Sequence, residues 1–319
     1  MKLCVLDALT IGKDIDLSPL NICGEVEVHE LTAPYEVAER VENADVIITN
    51  KVVLNEENLK GAKHLKFIGV TATGYNNIDL AYAEKAGIAV ANVAGYSTKS
   101  VAQHTFAMLF YMMEHLRNYD EYVKEKQYAD SKTFTFIAWP FNELSGKTWG
   151  IIGLGAIGKE VAKMADAFGA KVVYYSTSGK NNSGEQYERV ELDELLKRSD
   201  VVSIHAPLNE KTEGLIGYEA LCKMKETSYL LNLGRGGIVD EQALMKALNE
   251  NQIAGAGLDV LSKEPIDMHN PLYEVKDSNK LLITPHIGWA SVEARKRVVD
   301  EVIKNIQAFK AGEIRNRIV

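Results

Sequence analysis

Short runs of β-branched and aliphatic residues recur through the first hundred positions, each closed by polar residues or glycine. They are Lys2–Leu6, Val26–His29, Asp45–Thr49, Leu65–Val70 and Ile88–Asn92, and such runs read as strands. Between them, Glu36–Glu42 and Leu80–Ala86 carry apolar residues at helical spacing. Strands alternating with helices predict an α/β fold with a parallel sheet covered on both faces. The segment VAQHTFAMLFYMMEHL, starting at Val101, is apolar nearly all round, with Ser97, Thr98 and Ser100 as candidate caps. A helix of that kind is expected to lie buried between domains or subunits. Tyr119–Leu144 is aromatic-rich without a clear period and reads as a connection.

A second alternating series starts at Thr148. WGIIGLGAIG is a strand and glycine turn, and KEVAKMADAFGA a helix ending at Gly169. KVVYYS, VVSIHAPL, YLLNLG, AGAGLDV and LLITPHIG follow as strands, interleaved with the helices LDELLKRS and DEQALMKALNEN, the latter opened by Asp240. Ala290–Ala311 closes the chain as a long amphipathic helix.

Composition narrows the function class. The 319 residues are 46% hydrophobic and 25% charged, enough for two self-sufficient cores. The net charge of −8 is spread along the chain without a basic stripe, so nucleic acid is not an expected partner. Cys4, Cys23 and Cys222 are odd in number and far apart; they fit neither a disulfide framework nor a metal site and point to the cytoplasm. No Cys/His/carboxylate cluster has metal-ligand spacing. Asp7 interrupts the N-terminus too early for a signal-peptide core, and no apolar run is long enough to span a bilayer, so neither export nor a membrane is expected.

The turn GLGAIG has the spacing of a dinucleotide fingerprint in the right context, after a strand and opening a helix. Gly153 permits the turn, Gly155 lets backbone approach a pyrophosphate, and Gly158 lets helix and strand pack closely. The amides of Ala156 and Ile157 then face the phosphates. The acidic residue that would bind a ribose 2′-hydroxyl is missing: the next strand ends at Ser176, followed by Thr177, Ser178, Gly179 and Lys180. Small hydroxyls with a nearby cation and no opposing carboxylate suit a 2′-phosphate, so NAD(P) is the expected cofactor, with NADPH accepted beside NADH. The bland alternative is that Ser176 hydrogen-bonds the ribose of NADH and Lys180 is solvated.

Three further strands end in NLGRGGIVD, GLDVLSKEP and TPHIGWAS. Ligands of doubly wound sheets bind beyond the carboxyl ends of strands, so Arg235, Glu264 and His286 are expected to converge. With GLGAIG, the HAPL turn with Thr212, VTATGYNNIDL and VAQHTFAML, these motifs stand in the order of one family. Over essentially its whole length the chain resembles the D-isomer-specific 2-hydroxyacid dehydrogenases.

The resemblance implies a Rossmann doubly wound parallel sheet domain (99–289) inserted in a smaller flavodoxin-like α/β substrate domain (1–98 plus 290–319). It implies hydride transfer between NAD(P)H and a small 2-keto acid. His286 is then the acid, since histidine titrates near neutrality. Glu264 holds its ring and favours the charged form, and Arg235 offers a planar fork to the substrate carboxylate. The amides of Thr73 and Gly74 complete the carboxylate site, with Trp289 at its edge. Asp259 is expected on the nicotinamide carboxamide, and His205, Ala206, Pro207, Thr212, Leu233 and Gly234 along the cofactor. Gly288 allows close approach beside His286. The WAS ending, the GYNNID loop and the STSGKN segment resemble the glycerate dehydrogenase (hydroxypyruvate reductase) branch. A D-lactate dehydrogenase and a dinucleotide-sensing corepressor on the same fold are the alternatives. A homodimer built on the helix at 101–113 and the segment 119–144 is expected, with Trp139 reaching the neighbouring site. His104, inside the apolar helix, reads as a core or interdomain histidine, and His29, His64, His115 and His269 as surface.

Overall fold

The computed structural model describes residues 1–179 and 186–319, so Lys180 lies outside the described residues. The chain forms two compact units, Met1–Ser97 with Ala290–Val319, and Thr98–Trp289.

The first unit carries β1 (Lys2–Val5), β2 (Glu25–Val28), β3 (Val46–Thr49), β4 (Phe67–Val70) and β5 (Ala89–Ala91). They pair in the order β2-β1-β3-β4-β5, every pair parallel, which is the flavodoxin-like order. β3 and β4 are buried at every position, as expected of central strands covered on both faces. Helices α1 (Val37–Val41), α2 (Glu56–Leu59) and α3 (Leu80–Lys85) supply Val37, Val41, Leu59 and Ala83 to the core around Ile47 and Ile68. The terminal helix Val292–Lys310 packs on β4 and is capped by Ser291, whose hydroxyl accepts the Ala294 amide. The edge strand β2 is short and alternates charged residues along its exposed length, which discourages pairing with another chain.

The second unit opens with α4 (Thr98–Met113) and α5 (Leu116–Lys124). Its strands are β6 (Thr148–Ile152), β7 (Lys171–Tyr175), β8 (Glu188–Arg189), β9 (Val201–Ile204), β10 (Tyr229–Asn232), β11 (Gly255–Leu258) and β12 (Leu281–Ile283). They run in the order β12-β11-β10-β9-β6-β7-β8, all parallel. Counted from β6, this is the Rossmann order 3-2-1-4-5-6 with one added strand. The helices are α6 (Ala156–Ala167), α7 (Leu192–Arg198), α8 (Tyr218–Leu221) and α9 (Glu241–Asn249), the last capped by Asp240 through the Ala243 amide.

Two expectations change here. The apolar surface of α4 is used inside its own unit: Val101, Ala102, Phe106, Met108 and Leu109 are buried in the cluster with Trp149, Val161 and Leu231. The Phe106 ring lies 4.7 Å from Trp149 and 5.5 Å from Phe168. This helix is therefore not free to form a subunit interface by its apolar face, and Ser100 lies within it rather than capping it. The stretch expected to be a connection begins as α5. Its aromatic residues pack on the following strap: Tyr122 stacks on Phe136 at 3.9 Å, and Tyr119 meets Trp139 edge to face at 5.1 Å.

Candidate active site

The glycine turn joins β6 to α6. Gly153 has φ +94°, and a Cβ there would meet the Ala206 backbone at 3.0 Å. A Cβ on Gly158 would lie 2.3 Å from the Gly153 carbonyl oxygen, so helix and strand approach as closely as the motif implies. Gly155 faces open space, with nothing within 4 Å of a Cβ. The amides of Ala156 and Ile157 stand in the first turn of α6, where helix geometry provides no acceptor and the dipole favours an anion.

A cleft of about 780 Å³ runs from this turn past Ser176 and Thr177 to His205, Ala206 and Pro207. The Ser176 Oγ and both ring nitrogens of His205 are shielded from solvent and have no hydrogen-bond partner among the described residues. Burial pushes the His205 imidazole down to about 3, so it is neutral at physiological pH.

The structure adds Asn209, Glu210 and Lys211 to the cleft. Glu210 corrects the expectation that no carboxylate opposes a 2′-phosphate. Thr212 is also placed differently. It is fully buried, donates to the Pro207 carbonyl at 2.7 Å and accepts the Asn209 amide at 2.8 Å. It braces the turn and does not line the cleft. Leu233 and Gly234 are buried beyond β10, where the Gly234 amide donates to the Asn232 side chain at 3.1 Å.

β10, β11 and β12 are neighbours in the sheet, so Arg235, Glu264 and His286 follow three adjacent carboxyl ends. His286 Nδ1 lies 2.7 Å from Glu264 Oε2, while Glu264 Oε1 accepts the Leu261 amide at 3.0 Å. An ionised carboxylate only accepts, so Nδ1 carries the proton and Nε2 is left for a ligand. His286 sits at φ +54°, in the left-handed region. Arg235 is half-buried; its Nη1 donates to the Gly234 carbonyl at 2.8 Å, and no carboxylate pairs with it among the described residues.

Asp259 was expected on a cofactor carboxamide, and its hydrogen bonds run into the protein instead. Oδ1 accepts the Ile287 amide at 2.8 Å and the Thr284 hydroxyl at 2.7 Å, and Oδ2 the Gly288 amide at 2.8 Å. Burial works to raise this carboxyl, but the hydrogen bonds from His104, Thr284, Gly288 and Ile287 outweigh it and hold it below the usual carboxylate range. Trp289 is half-buried against the α4 and α6 cluster. Thr73 and Gly74 belong to the other unit, in the loop after β4, where the Thr73 hydroxyl donates to the Val93 carbonyl at 3.1 Å. Among the described residues, no group of His, Cys, Asp or Glu could hold a metal ion.

The model for the NAD binding domain of D-isomer specific 2-hydroxyacid dehydrogenases matches residues 106–288. The chain belongs to this family. The dehydrogenase is 41% identical over 318 residues to a hydroxypyruvate reductase of Blautia hydrogenotrophica, with 98% of each chain covered. It is similar to an acyclic imino acid reductase (Bsp5) solved with NADPH and D-Arg, with TM-score 0.87, 31% identity and all of both chains covered. It is also similar to the D-lactate dehydrogenase of Aquifex aeolicus solved with NAD and lactic acid, with TM-score 0.83 and 29% identity over 98% of this chain and 96% of that one.

The dehydrogenase thus takes a nicotinamide dinucleotide, NAD(P), and its residues fit one. Open space at Gly155 leaves room for a pyrophosphate against bare backbone. The unpartnered Ser176 and His205 atoms await polar groups from a ligand, since a buried polar atom without a partner costs about 1–3 kcal/mol.

Proposed function

We propose that the dehydrogenase reduces a small 2-keto acid, hydroxypyruvate or glyoxylate, to D-glycerate or glycolate. The observation that carries the chemistry is the His286–Glu264 pair at 2.7 Å. A bound nicotinamide dinucleotide supplies the hydride. His286, as imidazolium, gives its Nε2 proton to the ketone oxygen while Nδ1–H stays on Glu264, and the ring is left neutral with one proton. In the reverse direction the neutral Nε2 takes the hydroxyl proton. Arg235 binds the carboxylate of the acid through its planar fork. The likeness to a hydroxypyruvate reductase over nearly the whole chain supports the substrate class. D-lactate dehydrogenation is the second reading, favoured by the lactic acid complex of a similar protein.

The unit Thr98–Trp289 is assigned to the dinucleotide and the other to substrate. NADPH is accepted beside NADH: Ser176, Thr177 and Lys211 favour a 2′-phosphate, while Glu210 opposes it. The protein is assigned to the cytoplasm as a homodimer. Its three free cysteines support the first point, and no helix among the described residues is long and apolar enough to cross a membrane. Exposed Phe134, Ile137 and Phe141 support the second.

One steady-state matrix tests the reading: hydroxypyruvate, glyoxylate, pyruvate and phenylpyruvate, each with NADH and NADPH. Hydroxypyruvate is expected to have the highest kcat/KM, and phenylpyruvate in that place refutes the small-substrate assignment. A preference for NADH above about tenfold, 1.4 kcal/mol in transition-state binding, removes NADPH as a working cofactor.

A further inference from the structure

The apolar neighbours of His104 in the chain suggest an inert core histidine, but its hydrogen bonds lead to the catalytic loop. Its Nε2 lies 3.1 Å from Thr284 Oγ1 and 3.5 Å from Asp259 Oδ1. The directions follow from the groups. Asp259 is ionised and only accepts, so the Thr284 hydroxyl donates to it. The Thr284 oxygen then accepts from His104, which must carry a proton on Nε2. Asp259 in turn takes the amides of Ile287 and Gly288, the two residues after His286.

Ser100 stands one turn before His104 on the same face of α4, and its hydroxyl donates to the Gly288 carbonyl at 2.7 Å. The first turns of α4 therefore reach the loop twice, directly at the Gly288 carbonyl and, through Thr284 and Asp259, at the Ile287 and Gly288 amides. The packing is close, since a Cβ on Gly288 would come within 2.8 Å of Asp259 Oδ2 and 3.4 Å of His104 Cδ2. His286 occupies a left-handed backbone conformation, which persists in a non-glycine residue only where its surroundings over-determine it.

We propose that His104 is a positioning residue for the reduction, fixing through Thr284 and Asp259 the backbone that aims His286. The inference rests on the reading of His286 as proton donor, and a His286→Ala control separates the two. If that variant keeps near-normal kcat, the reading itself fails; if it is inactive while His104 proves irrelevant, only this inference fails.

The test compares His104→Phe, which keeps a ring and removes the donor, with His104→Gln, which restores an N–H near the Nε2 position. The Phe variant is expected to lose kcat by about tenfold or more, because small misplacements of a reacting group cost that much. Its dinucleotide Kd, read by fluorescence titration, should stay within about twofold, since an orienting defect acts on kcat. The Gln variant should recover most of the lost kcat. Thr284→Val should repeat the loss, and the double variant with His104→Phe should be no worse than either alone, as members of one chain of bonds are non-additive. Normal kcat in folded His104→Phe, or equal losses in the Phe and Gln variants, overturns the proposal. Where His104→Phe does not fold, Thr284→Val against Thr284→Ser decides: a loss confined to Val supports the chain, and equal activities overturn it.

Discussion

His286 and Glu264 stand 22 residues apart in the chain and 2.7 Å apart in space. His286→Ala is expected to lower kcat by about 10²- to 10⁴-fold, the usual share of a general acid, with dinucleotide binding retained. Near-normal kcat would overturn the assignment. His205 makes a prediction of another kind, about stability. Burial takes its imidazole from the ordinary 6.5 to about 3, so between those values the unfolded chain holds a proton that the folded one lacks. The stability contributed is complete above pH 6.5 and is lost as pH falls toward 3, by about 1.4 kcal/mol per pH unit within the window. Urea midpoints of the dinucleotide-free protein at pH 7.5 and 5 should therefore differ more in wild type than in His205→Phe. Equal differences in the two proteins would dismiss His205 as the source.

The turn between β6 and α6 separates folding from binding. Gly155 has φ −80° and ψ −162°, extended backbone open to any residue, and its missing side chain leaves empty space. Gly155→Val should melt near the wild-type Tm yet raise the dinucleotide Kd at least about tenfold, by blocking backbone approach to the pyrophosphate. Gly158→Val should instead cost about 1–3 kcal/mol of stability, because overpacking forces helix and strand apart. Identical melting of the two variants would contradict this division. The strands were legible because β-branched runs fully buried in a parallel sheet are short and bounded by glycine or polar residues. β8 was not: it is two exposed charged residues at the sheet edge and has no hydrophobic signal. α5 was obscured because its aromatic residues pack on a local strap rather than on the main core.

The proposed homodimer rests on exposed apolar side chains of the strap. Phe134 is 89% and Ile137 76% exposed on the strap after α5, and adjacent large apolar residues left bare favour association. Sedimentation at micromolar concentration should show a dimer. Phe134→Asp combined with Ile137→Asp should shift it toward monomer without lowering Tm much, since neither side chain is part of a core. A wild-type monomer under those conditions would reject the homodimer.

Local chemistry settled a good deal from the chain alone: which runs become strands, which glycines make the strand–helix turn, and which Arg, Glu and His follow strand ends. Those properties depend on side-chain shape and on spacings of a few residues, and both are written in the order of the chain. The tertiary structure alone decided which ring nitrogen of His286 meets Glu264, that Asp259 turns inward to grip the loop, that Glu210 enters the cofactor cleft, and that His104 ends a hydrogen-bond chain on the catalytic loop. Each of these depends on which strand ends become neighbours and which helix covers them. Sheet order and helix placement are long-range outcomes of packing, and hydrophobic periodicity does not encode them.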